Sequence, residues 1–186
     1  MPRLTLQNIE TAPAESAPFI ERAIANNGYL PNLIAVLANA PEVLEAYVTL
    51  GELNSRGLSL PEREVVQITA AVVHGCGFCA AGHAAIWLKK AKLPRAAVVS
   101  LQQGEATGEP RFDAIAAFTR AVIAARGAVD DASFRAFREA GFGERQALDV
   151  VLGVSLATLC NFANNLAQSA INPELLPYSI GVLGHE

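Results

Sequence analysis

Apolar residues recur at three- and four-residue spacing along most of this chain and seldom alternate, which is the periodicity of helices packed by one face. Prolines 2, 13 and 18 interrupt an opening stretch with little periodicity, so residues 1–16 are expected to run as an extended arm over the surface. Helices are expected over 17–27 and 31–39. Pro41 then takes a first-turn position in PEVLEAYVTLGELNSRG, a helix stopped by Gly57. Ser59 offers a cap for SLPEREVVQITAAVVHG, in which Val65, Ile68, Val72 and Val73 keep helical spacing up to Gly75. The next helix starts between Gly75 and Gly77 and runs through CAAGHAAIWLKKAKL to a break at Pro94. Residues 95–103, 111–126, 131–140 and 144–169 complete the set. Asp113 and Asp130 are expected as caps, and Gly104, Gly127, Gly141 and Gly143 as stops. The β-branched runs AAVV and VVLGV lie inside longer helical patterns and are read as helix. The fold class is therefore all-α, one compact multi-helix domain over residues 1–186. Laying 62–85 over 144–167 aligns Glu-Arg with Glu-Arg, Val72 with Val154, Ala81 with Ala163 and Ala85 with Ala167. This raises the possibility of two degenerate helical repeats, set against chance similarity between two Ala-rich helices.

Composition narrows the setting. Hydrophobic residues make up 52% and charged residues only 17%, the latter below the usual quarter, so some apolar surface is left for a partner to cover; a homo-oligomer is expected. A net charge of -4 without any Lys/Arg cluster removes the electrostatic basis for nucleic-acid binding. The N-terminus lacks a signal-peptide apolar segment, and no apolar run is read as a membrane span, which together imply no membrane and a cytoplasmic location. Of three cysteines, two form C-x-x-C, a poor disulfide framework for a secreted domain and a good redox or metal centre in a reducing compartment.

The chemistry concentrates at Cys76, Cys79 and His83. At about 100° per residue these positions share one helix face, and the glycines beside Cys76 mark the helix start. The positive end of a helix dipole favours a thiolate, and two cysteines so spaced can close and reopen a disulfide. Glu64 lies about three turns back in the preceding helix. With a sharp turn at Gly75, its carboxylate can hold the His83 imidazole if packing brings them together, giving the orienter, base and nucleophile of an activated thiol.

The pattern E-x11-C-x-x-C-x-x-x-H, here Glu64, Cys76, Cys79 and His83, resembles the signature of the alkylhydroperoxidase D-like branch of the carboxymuconolactone decarboxylase superfamily. The resemblance covers residues 58–95, the core motif, and TLCNFANNLA is similar to the Asn-rich helix common in these proteins. It implies an all-α fold, assembly as dimer, trimer or hexamer, and thiol-dependent peroxidase activity on a hydroperoxide, restored by a dithiol reductant that is a protein or a small thiol. Residue by residue it implies Cys79 as the attacking thiolate, Cys76 as the resolving partner, and Glu64 with His83 as the proton relay. The chain departs from the best-known member at Phe78, where that member has a second histidine; His74 is the candidate replacement.

Other readings stand beside this one. Cys76, Cys79, His83 and Glu64 match zinc in number and type, which would make a non-catalytic metal-binding or oligomeric module. A lyase acting on a lactone acid, with the cysteines as bystanders, keeps the superfamily. On the leading reading there is no metal and no cofactor, since no Gly-rich phosphate loop offers NAD or flavin a cradle. Cys160 is expected to be a packed, inert thiol, and Trp87 and Phe78 core or subunit contacts. The tail 171–186, with Ile171, Leu175, Leu176, Tyr178 and Ile180 among prolines, is too apolar to float and should lie on a neighbouring subunit or back on its own.

Overall fold

The computed structural model describes residues 2–185, and among them there are helices and turns but no strand. The helices are α1 (Ala17–Asn27), α2 (Asn32–Leu37), α3 (Pro41–Asn54), α4 (Leu60–Val73), α5 (Gly77–Ile86), α6 (Arg95–Gln103), α7 (Pro110–Ala124), α8 (Asp131–Glu139) and α9 (Glu144–Ala167). A π-turn, Trp87–Ala91, extends α5, and 3-10 turns cover Ala14–Ser16, Pro173–Tyr178 and Leu183–His185.

Local chemistry sets most of the boundaries. Ser59 and Glu62 form a capping box at the start of α4, and the Asp130 carboxylate accepts from the Ser133 N–H at 2.9 Å at the start of α8. Asp113 has a different task from the expected cap. It lies inside α7 and accepts from the Thr107 N–H and hydroxyl at 2.7 Å each, tying down the preceding loop, while Glu109 holds the N-cap position. Gly143 is likewise the N-cap of α9 and not a stop; its N–H donates to Gln146 Oε1 at 2.9 Å.

Two hydrophobic clusters fill the interior. One joins α1, α2 and α3 to α5 and α9 through Ile20, Ile34, Leu37, Leu44, Leu156 and Leu175, with all three cysteines in it. The other joins α4, α6, α7 and α8, where Phe118, Phe137 and Phe142 stack and the fully buried Trp87 donates from Nε1 to the Pro94 carbonyl. Helix α9 crosses α4 at Gly153, where a Cβ would stand 2.9 Å from Val66 Cγ1; the missing side chain permits this close approach. Gln67 Nε2 seals the crossing by donating to the Gly153 carbonyl at 2.9 Å.

The 62–85 and 144–167 stretches differ in structure. The first comprises most of α4, a turn and most of α5, whereas the second is one continuous helix, so their similarity is not a repeated supersecondary unit. By length and composition alone α9 is the one helix among the described residues long and apolar enough to cross a membrane. It packs against α2, α3, α4, α5 and α7. Ahead of α1, the Arg3 and Gln7 N–H groups donate to the carbonyls of Ala167 and Ala35, and a turn at 9–11 and the 3-10 turn Ala14–Ser16 interrupt the extended course expected for the arm.

Candidate active site

The turn between α4 and α5 builds the site. Gly75 adopts φ +68°. That left-handed conformation costs other residues about 1–2 kcal/mol. The Gly75 N–H bonds to the Val72 carbonyl at 3.1 Å, and the Cys76 N–H bonds to the Ala71 carbonyl at 2.8 Å, which closes α4 in a Schellman motif. The residue that completes this C-terminal motif is also the N-cap of α5. Cys76 Sγ accepts the Cys79 backbone N–H at 3.4 Å, standing where a serine or aspartate oxygen usually stands. The chain thereby reverses direction within three residues, lays α5 beside α4, and puts both thiols in the first turn of α5.

Glu64 meets His83 across this α4–α5 contact: Glu64 Oε2 lies 2.7 Å from His83 Nδ1. The carboxylate is buried, while 27% of the His83 side chain reaches solvent. With Nδ1 engaged by Glu64, Nε2 is the nitrogen left to exchange a proton.

The two sulfurs sit in different electrostatic surroundings. Cys76 is drawn down to about 7, first by a hydrogen bond from the Cys79 thiol, which outweighs burial, then by the Cys79 N–H, the His83 charge and the Asn164 amide. Cys79 is pushed well above the ordinary thiol range by that same thiol contact, by burial and by the charges on Cys76 and Cys160. The resting charge therefore belongs on Cys76, with Cys79 protonated and donating to it. This opposes the order implied by resemblance, in which Cys79 carries the attacking charge. Both sulfurs are covered, at 2% and 5% residue exposure. The tail covers this helix of its own chain: Ile171 packs over Gly77, Leu175 over Gly82, and Gln102 Nε2 pins the segment through the Tyr178 carbonyl at 2.9 Å. All three cysteines are free thiols.

His74 does not replace the missing second histidine. Its Nδ1 pairs with Asn161 Nδ2 at 3.0 Å, its ring meets Phe162 edge-on, and its carbonyl accepts from Asn165 Nδ2 at 2.8 Å, so it fastens the α4 terminus to α9. Asn164 occupies the thiol side instead. Its Nδ2 donates to Cys79 Sγ at 3.4 Å, and its Oδ1 accepts from the Ser169 hydroxyl at 2.5 Å. The sequence displays the asparagines of α9 but not which of them faces sulfur; α9 positions 161, 164 and 165 separate only once its crossing with α4 is known. Tyr47 of α3 is a second unforeseen neighbour. Its phenol is held well above its ordinary range by burial and by Cys160, Cys79 and Glu64. Cys160 is a packed thiol, as expected, pushed up to about 12 by burial and the Cys76 charge. Phe78 is buried in the first cluster. Among the described residues no three His, Cys, Asp or Glu side chains converge as a metal-holding group, which takes the geometric basis from the zinc reading.

Comparisons with known proteins place this arrangement. Residues 41–121, which span α3 to most of α7 and contain all four motif residues, match the carboxymuconolactone decarboxylase family model. No curated protein matches the sequence significantly. Among solved structures, a peroxidase-related protein from Ralstonia eutropha JMP134, described as an alkylhydroperoxidase AhpD core, superposes with TM-score 0.84 at 24% identity, covering 95% of each chain. A peroxidase-related protein from Silicibacter sp. TM1040 gives TM-score 0.77 at 20% identity over 93% of this chain and 94% of that one. A variant of the debrominase Bmp8, in complex with 2,3,4-tribromopyrrole, gives 0.74 at 16% identity over 89% of each. The expected all-α architecture is thus the alkylhydroperoxidase D-like fold.

Proposed function

We propose that this chain, whose residues 41–121 match the carboxymuconolactone decarboxylase family model, is a member of that superfamily and a thiol-dependent peroxidase working through a Cys76/Cys79 dithiol–disulfide cycle. The Cys76 thiolate attacks the terminal oxygen of a hydroperoxide. The O–O bond breaks, the alkoxide leaves with a proton delivered by His83, and Cys76 becomes a sulfenic acid. Cys79 then attacks that sulfur, water leaves, and the disulfide closes. An external dithiol, protein or small molecule, returns both thiols. Glu64 fixes the imidazole and stabilises it when protonated.

The observation that carries the reading is one sulfur capping a helix and accepting from the other cysteine, beside a Glu64–His83 pair at 2.7 Å. A lyase with bystander cysteines has no use for that contact. The debrominase neighbour favours a second reading on fold alone: the same thiolate takes bromine from an aromatic ring, His83 supplies the ring proton, and Cys79 displaces bromide. One assay separates them. Purified protein with excess dithiothreitol is given cumene hydroperoxide or 2,3,4-tribromopyrrole, and loss of each is followed. Peroxide consumption that vanishes in Cys76→Ser supports the proposal; bromide release without peroxide consumption replaces it with the second reading; neither reaction ends both.

A cytoplasmic location and a homo-oligomer complete the proposal. Leu148, Val151, Phe162 and Leu166 expose an apolar stripe along α9, which suits burial against a second copy.

A further inference from the structure

Closing the disulfide requires Cys79 to be ionised at the moment it attacks, yet its surroundings at rest keep it neutral. Burial, the adjacent Cys76 charge and Cys160 all oppose a second negative sulfur. The titratable groups that face it are Cys76 and His83 on α5, Glu64 on α4, Tyr47 on α3 and Cys160 on α9, and of these only His83 can lend positive charge. One neutral side chain touches the sulfur from the opposite helix. Asn164 is 4% exposed and directs Nδ2 at Cys79 Sγ from 3.4 Å. Ser169 Oγ donates to Oδ1 at 2.5 Å, which leaves Nδ2 as the amide atom facing the sulfur. A thiol sulfur is a weak acceptor, whereas a thiolate accepts strongly, so this donor gains strength only when Cys79 ionises. Burial of both partners keeps bulk solvent from taking the amide's place.

Resting on the peroxidase reading, we propose that Asn164 is a catalytic residue of the second chemical step, its Ser169-locked amide holding the Cys79 thiolate while that sulfur attacks the Cys76 sulfenic acid. In that step the S–S bond forms and the Cys76 S–O bond breaks. His83, having given its proton to the alkoxide, takes the Cys79 proton and returns it to the departing hydroxide, which leaves as water. The two electrons were already surrendered to peroxide when the sulfenic acid formed, so closure needs no further oxidant. In the reverse direction, when a reductant opens the disulfide, the same amide stabilises Cys79 as the leaving thiolate.

The test is rapid-quench analysis of wild type, Asn164→Ala and Ser169→Ala given one equivalent of cumene hydroperoxide. Sulfenic acid is trapped with dimedone and the 76–79 peptide is read by mass spectrometry. A hydrogen bond to an ionised group of this kind changes a rate by about 10- to 100-fold. In Asn164→Ala, closure slows by about that factor relative to peroxide loss in the first turnover, and dimedone captures Cys76. Ser169→Ala, which keeps the asparagine but frees it to flip, slows closure less, and it decides the matter if Asn164→Ala does not fold. Closure at the wild-type rate in a folded variant overturns the proposal. If wild type forms neither sulfenic acid nor disulfide, the peroxidase reading itself falls and this step with it.

Discussion

Removing the imidazole of His83 strands a carboxylate. Glu64 is 5% exposed, and its Oε2 is 2.7 Å from His83 Nδ1. A hydrogen bond involving an ionised group contributes about 1.5–3 kcal/mol, and a fully buried charge left alone costs about 3–5 kcal/mol. Because 27% of the His83 side chain is open, water can reach the vacated space, which places the His83→Ala loss near the lower end, at about 2 kcal/mol. Glu64→Gln keeps the shape and one acceptor while removing the charge, for an expected loss of about 1 kcal/mol. In the double variant no charge is stranded, so the combined loss falls short of the sum by about 1–2 kcal/mol. Urea denaturation of the four proteins at pH 7, followed by far-ultraviolet circular dichroism, measures this coupling; the void left by His83 is common to both sides of the cycle and cancels. Costs that add to within about 0.5 kcal/mol would refute the claim that these side chains act as one unit.

The resting charge on Cys76 makes its reactivity depend on pH. With the thiol drawn down to about 7, iodoacetamide labelling of Cys76 rises as pH climbs through that value and levels above it, while Cys79 and Cys160 stay slow in the folded protein; peptide mapping reads all three. Cys160 is a buried residue, 6% exposed. Its replacement by alanine is expected to cost about 1 kcal/mol in urea denaturation, with hydroperoxide turnover retained. Leu148→Glu combined with Phe162→Glu places charge at two exposed positions of the α9 apolar stripe; light scattering should report smaller particles than wild type, and an unchanged mass would take α9 out of the interface.

The helices were legible because their signals are local. Residues 95–103 and 17–27 match α6 and α1 to the residue, and Ser59, Asp130 and Pro41 stand where capping chemistry puts them. The C-x-x-C-x-x-x-H face could be read from helical spacing alone, whereas its meeting with Glu64 depended on the Schellman turn at Gly75 laying α5 along α4. What sequence could not supply was set by contacts between distant segments. Asp113 looks like a cap, but Thr107 claims its carboxylate. His74 looks like a proton carrier until Asn161 is found on its ring. Asn164 reaches Cys79 only because Gly153 lets α9 approach α4 closely, and the cover over α5 comes from Ile171 and Leu175, nearly a hundred positions down the chain. The charge order of the two sulfurs likewise follows from their mutual hydrogen bond and not from their spacing.

Mass spectrometry of the 76–79 peptide, before and after one equivalent of hydroperoxide on the folded protein, tests the central claim most directly. The account predicts a loss of two hydrogens confined to that peptide, reversed by dithiothreitol, with Cys160 unchanged. A peptide that keeps both thiols while the hydroperoxide is consumed, or while it persists, contradicts it.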